Sequence, residues 1–292
     1  MVIVRLIGGL GNQLFQYAAG RALSHRHGVS LKLDASAFEQ YPLRRYSLAP
    51  FNIAADFATP EEVAHLTGAG RTGFRKRVSQ LVYPRLLPRF RTVYKERHFH
   101  YDSGFEAVGK RVYLIGFWQS ERYFIEVADL LRKELTFQHP PDPPNRLLCE
   151  QIDAVDAISV HVRRGDYVSN PSTSAFHGSC SPAYYRAAVR HLAQGLSTPH
   201  VFAFSDDLAW VRANLSLDLP VTYVMHNGEA KDYEDLRLMG RCKHHVIANS
   251  TFSWWGAWLS DAPGKVVVAP RQWFNDPAIE TRDVIPDTWL TL

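Results

Sequence analysis

Two adjacent arginines followed by an acid, in His161-Val162-Arg163-Arg164-Gly165-Asp166-Tyr167, offer a definite chemistry. A guanidinium is a planar fork that pairs bidentately with phosphate oxygens, so two side by side suit a diphosphate. Asp166 would orient an arginine or accept a proton, and His161 is the alternative base. The plainer reading is an Arg–Asp structural pair at a turn. A second segment, Phe204-Ser205-Asp206-Asp207, has three readings. Ser205 or Asp206 caps a helix, an acid pair holds a divalent cation, or a carboxylate accepts the N–H groups of guanine. The double arginine already supplies the positive charge a diphosphate needs, so the expectation is no metal and no other cofactor. In Asn249-Ser250-Thr251-Phe252-Ser253-Trp254-Trp255, hydroxyls precede an apolar run. Free N–H groups at such a helix start make an anion site, with Trp254, Trp255 and Trp258 partly in the core. The fourth segment, Gly8-Gly9-Leu10-Gly11-Asn12-Gln13, is not a phosphate-binding P-loop, because no Gly-Lys-Ser/Thr follows. It approaches a dinucleotide fingerprint, but Leu14 holds the third glycine position. Asp34 ends the next strand, where a ribose-binding acid would sit. A nicotinamide-dependent oxidoreductase therefore stands as an alternative.

These segments need elements that place them at strand ends. Val2–Ile7 reads as a buried strand, Leu14–His27 as a helix stopped by Gly28, and Ser30–Asp34 as the next strand. Residues 35–110 are broken repeatedly by proline. Val112–Phe117 reads as a strand and Glu121–Glu134 as a helix. Four prolines in the six residues His139–Pro144 read as a stiff linker, so we expect domains 1–140 and 145–292. The second half alternates: helices over 145–155, 182–194, 207–214, 232–241 and 252–260, strands over 157–162, 200–204, 221–225, 245–248 and 265–269. Such alternation predicts an α/β chain with a parallel sheet covered on both faces. Ligands in such sheets bind outside the carboxyl ends of the strands, where the motifs of the second half fall.

Composition narrows the function classes. A net charge of +4 over 292 residues does not describe a nucleic-acid binder. The charge is uneven: the stretch Arg71–Arg97 holds nine Lys/Arg against Glu96, interleaved with Leu81, Val82, Tyr83, Leu86, Leu87 and Phe90. It reads as a solvated basic face or as a peripheral contact with an anionic membrane surface. Cys149, Cys180 and Cys242 are too far apart for a zinc pair or a disulfide framework. That usage suits a reducing cytosol. No signal peptide is legible and no run of 18 apolar residues exists.

Together the four segments resemble the inverting α-1,2-fucosyltransferases, glycosyltransferase family eleven. HVRRGDY is similar to that family's His-x-Arg-Arg-x-Asp motif, FSDD and NSTFSWWGAWLS to its other carboxyl-half motifs, and GGLGNQLFQYAAGRAL to its amino-terminal one. The resemblance implies a GT-B-like architecture, two Rossmann-like domains facing across a cleft. The carboxyl half would bind GDP-fucose, with His161, Arg163, Arg164, Ser205, Asp206, Asn249, Ser250, Thr251 and Phe252 as candidate contacts. Arg163 or Arg164 would hold the β-phosphate, Asn12 would reach across the cleft to the same phosphate or to the acceptor, and Gly9, Gly11 and Gln13 would lie with it on the acceptor side. Arg163, Asp166 and Asn12 are the implied catalytic group. The implied reaction is metal-independent transfer of L-fucose to the 2-hydroxyl of a terminal galactose, as by a galactoside 2-alpha-L-fucosyltransferase. Its acceptor would be an O-antigen-type oligosaccharide or lipid-linked glycan, and a related donor such as GDP-colitose also fits. The chain opens at its first strand like bacterial members, so the expected location is cytoplasmic. A non-catalytic two-lobed nucleotide- or sugar-binding protein is the remaining alternative.

Overall fold

A computed structural model describes residues 1–40, 44–68, 92–165 and 171–292. The chain forms two compact units. One comprises Met1–Gln138 with Arg282–Val284, and the other His139–Thr281 with Ile285–Leu292.

The first unit holds a five-stranded sheet in the order β3-β2-β1-β5-β4, every described pairing being parallel. Its strands are β1 (Val2–Arg5), β2 (Leu31–Asp34), β3 (Asp56–Phe57), β4 (Val93–Lys95) and β5 (Val112–Ile115). Between β1 and β2 runs the helix Leu10–His27, ended by Gly28 as expected. It begins four residues earlier than the periodicity suggested, so Gly11, Asn12 and Gln13 lie in its first turn rather than in a loop. The expected helix over 121–134 is broken into 3-10 turns Glu121–Tyr123 and Ile125–Val127 and an α-helix Ala128–Glu134. Ser120 caps the first turn through the Arg122 amide, and Phe124 (φ −146°) leaves helical geometry and ends it.

The second unit holds a six-stranded parallel sheet, order β11-β10-β9-β6-β7-β8. These are β6 (Asp156–Val162), β7 (Pro199–Ser205), β8 (Val221–Tyr223), β9 (His244–Val246), β10 (Val267–Ala269) and β11 (Leu290–Thr291). Numbered within the unit this is 3-2-1-4-5-6, the doubly wound dinucleotide-binding order, whose switch point falls between β6 and β9. Ile158, Val160 and Val162 pack with Val201, Ala203, Val246 and Val268 against Tyr185, Ala188, Val189 and Leu192 of the helix Pro182–Ala193. The helix residues recur at i, i+3, i+4 and i+7, one face of a helix. The intervening residues of β6, Ala157, Ser159 and His161, point to the opposite face and are also buried, so both faces of the strand are covered. Burying each such aliphatic side chain contributes about 1.5–3 kcal/mol.

The proline-rich stretch is only partly a linker. Pro143 and Pro144 open the helix Pro143–Asp153, with Asp142 accepting the Asn145 amide as its cap. Proline suits a first helical turn because its missing N–H has no partner there anyway.

Candidate active site

Three neighbouring strands of the second unit deliver the candidate residues to one end of the sheet. β6 ends in Val162, paired in register with Ser205 at the end of β7. β9 ends in Val246, paired with Val160.

Beyond β6, Arg163 Nη1 lies 3.0 Å from Asp206 Oδ2. The Arg164 amide donates to the other oxygen, Asp206 Oδ1, at 2.9 Å. One carboxylate thus fixes both the Arg163 head and the backbone that follows it. Gly165 is required by that approach: a Cβ there would sit 2.6 Å from Asp206 Oδ2. Arg164 is held differently. Its guanidinium carbon lies 3.7 Å from the centroid of the Trp210 ring, and its Nε is 3.4 Å from Asp207 Oδ2. A stacked guanidinium is oriented by the ring's negative face. Asp166 lies outside the described residues.

The Ser-Asp-Asp segment corrects one expectation. The cap of the helix Leu208–Asn214 is Asp207, whose Oδ1 accepts the Trp210 amide at 3.1 Å; neither Ser205 nor Asp206 fills that place. Ser205 Oγ accepts the Asp207 amide at 2.9 Å and shapes the turn. Asp206 is thereby left for the arginines. Among the described residues no group of three or more His, Cys, Asp or Glu is arranged to hold a metal ion.

Beyond β9, Ser250 is the extended residue preceding the helix Thr251–Leu259, and its side chain makes no capping bond. The first bond of the helical ladder runs from the Trp254 amide to the Ser250 carbonyl. The amides of Thr251, Phe252 and Ser253 therefore lie outside the ladder, at the positive end of the helix. Trp254, Trp255 and Trp258 are buried. Asn249 is committed elsewhere, its Nδ2 donating to the carbonyls of His177 and Trp273. It ties the loop down from inside.

His161 joins the two halves of this arrangement. It lies on the β6 alternation opposite Val160 and Val162, with Nδ1 bonded to Ser253 Oγ. Its ring centroid is 5.4 Å from that of Phe252. Burial, reinforced by Arg163 and opposed by Asp206, lowers the His161 pKa to about 4. The imidazole is neutral at pH 7. Ser253 and Trp210 were not singled out from sequence; the signals available were their places in the first turns of the helices that follow the two carboxyl-half motifs.

In the first unit, Gly8 is left-handed (φ 79°), and a Cβ there would meet Asn12 Nδ2 at 2.6 Å. Gly9 is the extended cap of the helix Leu10–His27 and Gly11 is buried in its first turn. Gln13 is fully buried: its Nε2 donates to the carbonyls of Gly8 and Arg45, and its Oε1 accepts the Ser47 amide. It is a loop clamp. Asn12 stays partly exposed, its Oδ1 accepting Gln119 Nε2 at 3.0 Å. Asp34, the acid that kept the oxidoreductase reading open, is 6% exposed and bonded to the Tyr113 hydroxyl and the Ser36 amide. Its oxygens are taken by groups on and beside the interior strands β2 and β5.

A 3-2-1-4-5-6 sheet carrying ordered arginines beside an uncapped helix start defines an α/β protein built to receive an anionic ligand at its switch point. Residues 88–292 match the family described as glycosyl transferase family 11. An alpha-1,2-colitosyltransferase of Escherichia coli is 34% identical, over 100% of this chain and 99% of its own length. The O-antigen biosynthesis glycosyltransferase WbnK of Escherichia coli is 33% identical over 98% and 99%. The chain belongs to glycosyltransferase family 11. Its fold is similar to that of NodZ alpha-1,6-fucosyltransferase in a crystal soaked with GDP-fucose (TM-score 0.52, 18% identity, 91% of this chain and 94% of that one). The architecture is α/β and GT-B-like, with two parallel sheets, and the activity is fucosyltransferase-like glycosyl transfer.

No described helix is long and apolar enough to cross a membrane. Of the basic stretch Arg71–Arg97, residues 71–91 lie outside the described residues. Arg97 at its end is paired with the buried Asp102.

Proposed function

We propose that this enzyme transfers L-fucose from GDP-β-L-fucose to the 2-hydroxyl of a terminal galactose, with inversion and without a metal ion. The observation that carries the reading is the Arg163–Asp206–Arg164 arrangement beside the helix start Thr251–Phe252–Ser253, in a chain similar over its whole length to an α-1,2-specific transferase. The acceptor hydroxyl attacks the anomeric carbon as the bond to the β-phosphate breaks, and GDP leaves with the bonding electrons. Negative charge grows on that phosphate. Fixed donors aimed at it contribute the largest catalytic share: the Arg163 head and the amides of Thr251, Phe252 and Ser253. Ser250, Thr251 and Phe252 line the phosphate and base, while Ser205 and Asn249 shape the loops around them. Asp166 or the departing phosphate takes the acceptor proton. His161 stays the alternative base, through Nε2, since Ser253 occupies only its Nδ1. Asn12 serves the acceptor.

The colitosyltransferase relative makes GDP-colitose the second donor to consider. Colitose is fucose without its 3-hydroxyl. A site that hydrogen-bonds that hydroxyl rejects the deoxy sugar by about 10⁴-fold or more, whereas a site that leaves it in solvent accepts both. GDP release from each donor, with lactose as acceptor and with or without EDTA, tests the reading. Release from neither donor with any galactoside would sink it in favour of a binding protein. The expected acceptor is an O-antigen-type or lipid-linked glycan at the cytoplasmic membrane face, reached through Arg71–Arg97. Salt-insensitive behaviour toward anionic vesicles would remove the membrane contact.

A further inference from the structure

Three segments leaving the carboxyl ends of the second sheet meet beside the helix start at residues 250–253. The chain beyond β6 returns as the short helix Pro171–His177, the chain beyond β10 brings in residues 273–275, and the chain beyond β9 supplies Asn249. Asn249 lies one residue before Ser250, and its side chain joins all three. Its Nδ2 donates to the His177 carbonyl at 2.8 Å and to the Trp273 carbonyl at 3.1 Å. Asn275 completes the seam: its backbone amide donates to the Phe176 carbonyl at 2.9 Å and its Nδ2 to the Ser174 carbonyl at 3.2 Å.

This seam carries an aromatic cluster. The Phe274 ring centroid lies 4.7 Å from that of Phe176 and 5.3 Å from that of His177. Phe274 is buried, but Phe176 against it is 41% exposed. Asn275 grips Phe176 through its backbone, which leaves the ring displayed on a fixed support. Such a ring offers contact area to an apolar group of a ligand.

The two faces of the sheet decide which group. Residues 176–181 lead into the helix Pro182–Ala193, which covers the Val160 and Val162 face of β6. Phe252 belongs to the opposite face, its ring 5.4 Å from that of His161. The helix start therefore has an aromatic group on each flank. A nucleotide sugar whose phosphates rest there sends its base to one flank and its hexose to the other. Phe252 is already given to the base, which leaves Phe176 for the hexose. Fucose and colitose are both 6-deoxy sugars, and the methyl group on C5 is the apolar projection they share. We infer that Phe176, backed by Phe274, forms an apolar ledge for the C5-methyl of the donor sugar and selects 6-deoxyhexoses over hexoses with a 6-hydroxyl. The inference rests on the proposed placement of the phosphates at the helix start, and it holds for either donor.

The experiment uses the full chain with GDP, GDP-L-fucose and GDP-L-galactose, the last being the same hexose with a hydroxyl on C6. Calorimetry gives the three Kd values, and GDP release with lactose gives kcat/KM for each donor. An apolar pocket rejects an added hydroxyl by about 10²-fold at most, so the wild type is expected to prefer GDP-L-fucose by about 10- to 100-fold. Phe176→Asn offers the hydroxyl a partner and lowers that preference about tenfold, with the Kd for GDP and the melting temperature unchanged. Phe176→Leu keeps the wild-type preference. An unchanged preference in Phe176→Asn overturns the ledge. An equal loss of affinity for GDP alone gives the ring to the base and overturns it as well. If no donor turns over with any galactoside while the ratio of the two sugar-nucleotide Kd values still shifts in Phe176→Asn, the proposed reaction fails and the ledge stands.

Discussion

Arg163 and Asp206 face each other 3.0 Å apart at the ends of adjacent strands, with about a quarter of each side chain exposed. An ion pair that wet contributes no more than about 1 kcal/mol to stability. Its value lies in aiming the guanidinium. Arg163→Ala is therefore expected to lower kcat by about 10²–10³-fold, roughly 3–4 kcal/mol, with little change in melting temperature. Asp206→Asn keeps an acceptor for the Arg164 amide but weakens the hold on Arg163, so its kcat should fall between wild type and Arg163→Ala. Steady-state GDP release and thermal melts on both variants check this. Equal activity of Asp206→Asn and wild type would mean the carboxylate does not aim the arginine.

Arg164 behaves differently because its guanidinium lies on Trp210. Lysine cannot reproduce a stacked planar cation. Arg164→Lys should cost stability of about 0.5–2 kcal/mol, whereas Arg163→Lys should cost activity and little stability. Urea unfolding separates the two, and identical unfolding midpoints would count against the stacked geometry.

The His161 imidazole has its pKa lowered from 6.5 to about 4 by burial. The unfolded chain then binds the extra proton between those two values and the folded chain does not, so stability falls as pH drops from 6.5 toward 4. The full effect of this one group is on the order of 3 kcal/mol. His161→Gln should flatten that part of the pH–stability curve, measured by urea unfolding at pH 7 and pH 5. The same slope in both proteins would show that other groups carry it.

Activity is expected to survive excess EDTA, because on the proposed reading Arg163 and the amides of Thr251, Phe252 and Ser253 would supply the positive field that a cation provides in metal-dependent transferases. Loss of activity on chelation, restored by a divalent ion, would reassign Asp206 and Asp207 to a cation.

Much of the second unit was legible because strands and helices alternate at regular spacing, and the polar motifs stand where the strands stop. The double arginine, the Ser-Asp-Asp turn and the Asn-Ser-Thr segment were found that way. What stayed hidden depends on register. The pairing of His161 with Ser253 joins residues 92 positions apart, through strand alternation and a helix start that no local pattern displays. Proline and glycine misled at helix starts, where Pro143 and Gly9 begin helices rather than interrupt them. Glu121–Glu134 kept a helical rhythm but breaks at Phe124.

Asp283, in the three late residues that belong to the amino-terminal unit, is 7% exposed. Its carboxylate pairs with Arg122 at 2.8 Å and accepts the Tyr101 amide at 3.0 Å. The lobes are thus not consecutive modules that can be exchanged at a single seam. A chimera that grafts the first 138 residues onto a relative's second half inherits an Arg122 and a Tyr101 amide whose partner must come from the recipient's tail. Exchanging the amino-terminal unit among family members calls for two crossovers, with the segment around Asp283 travelling alongside it.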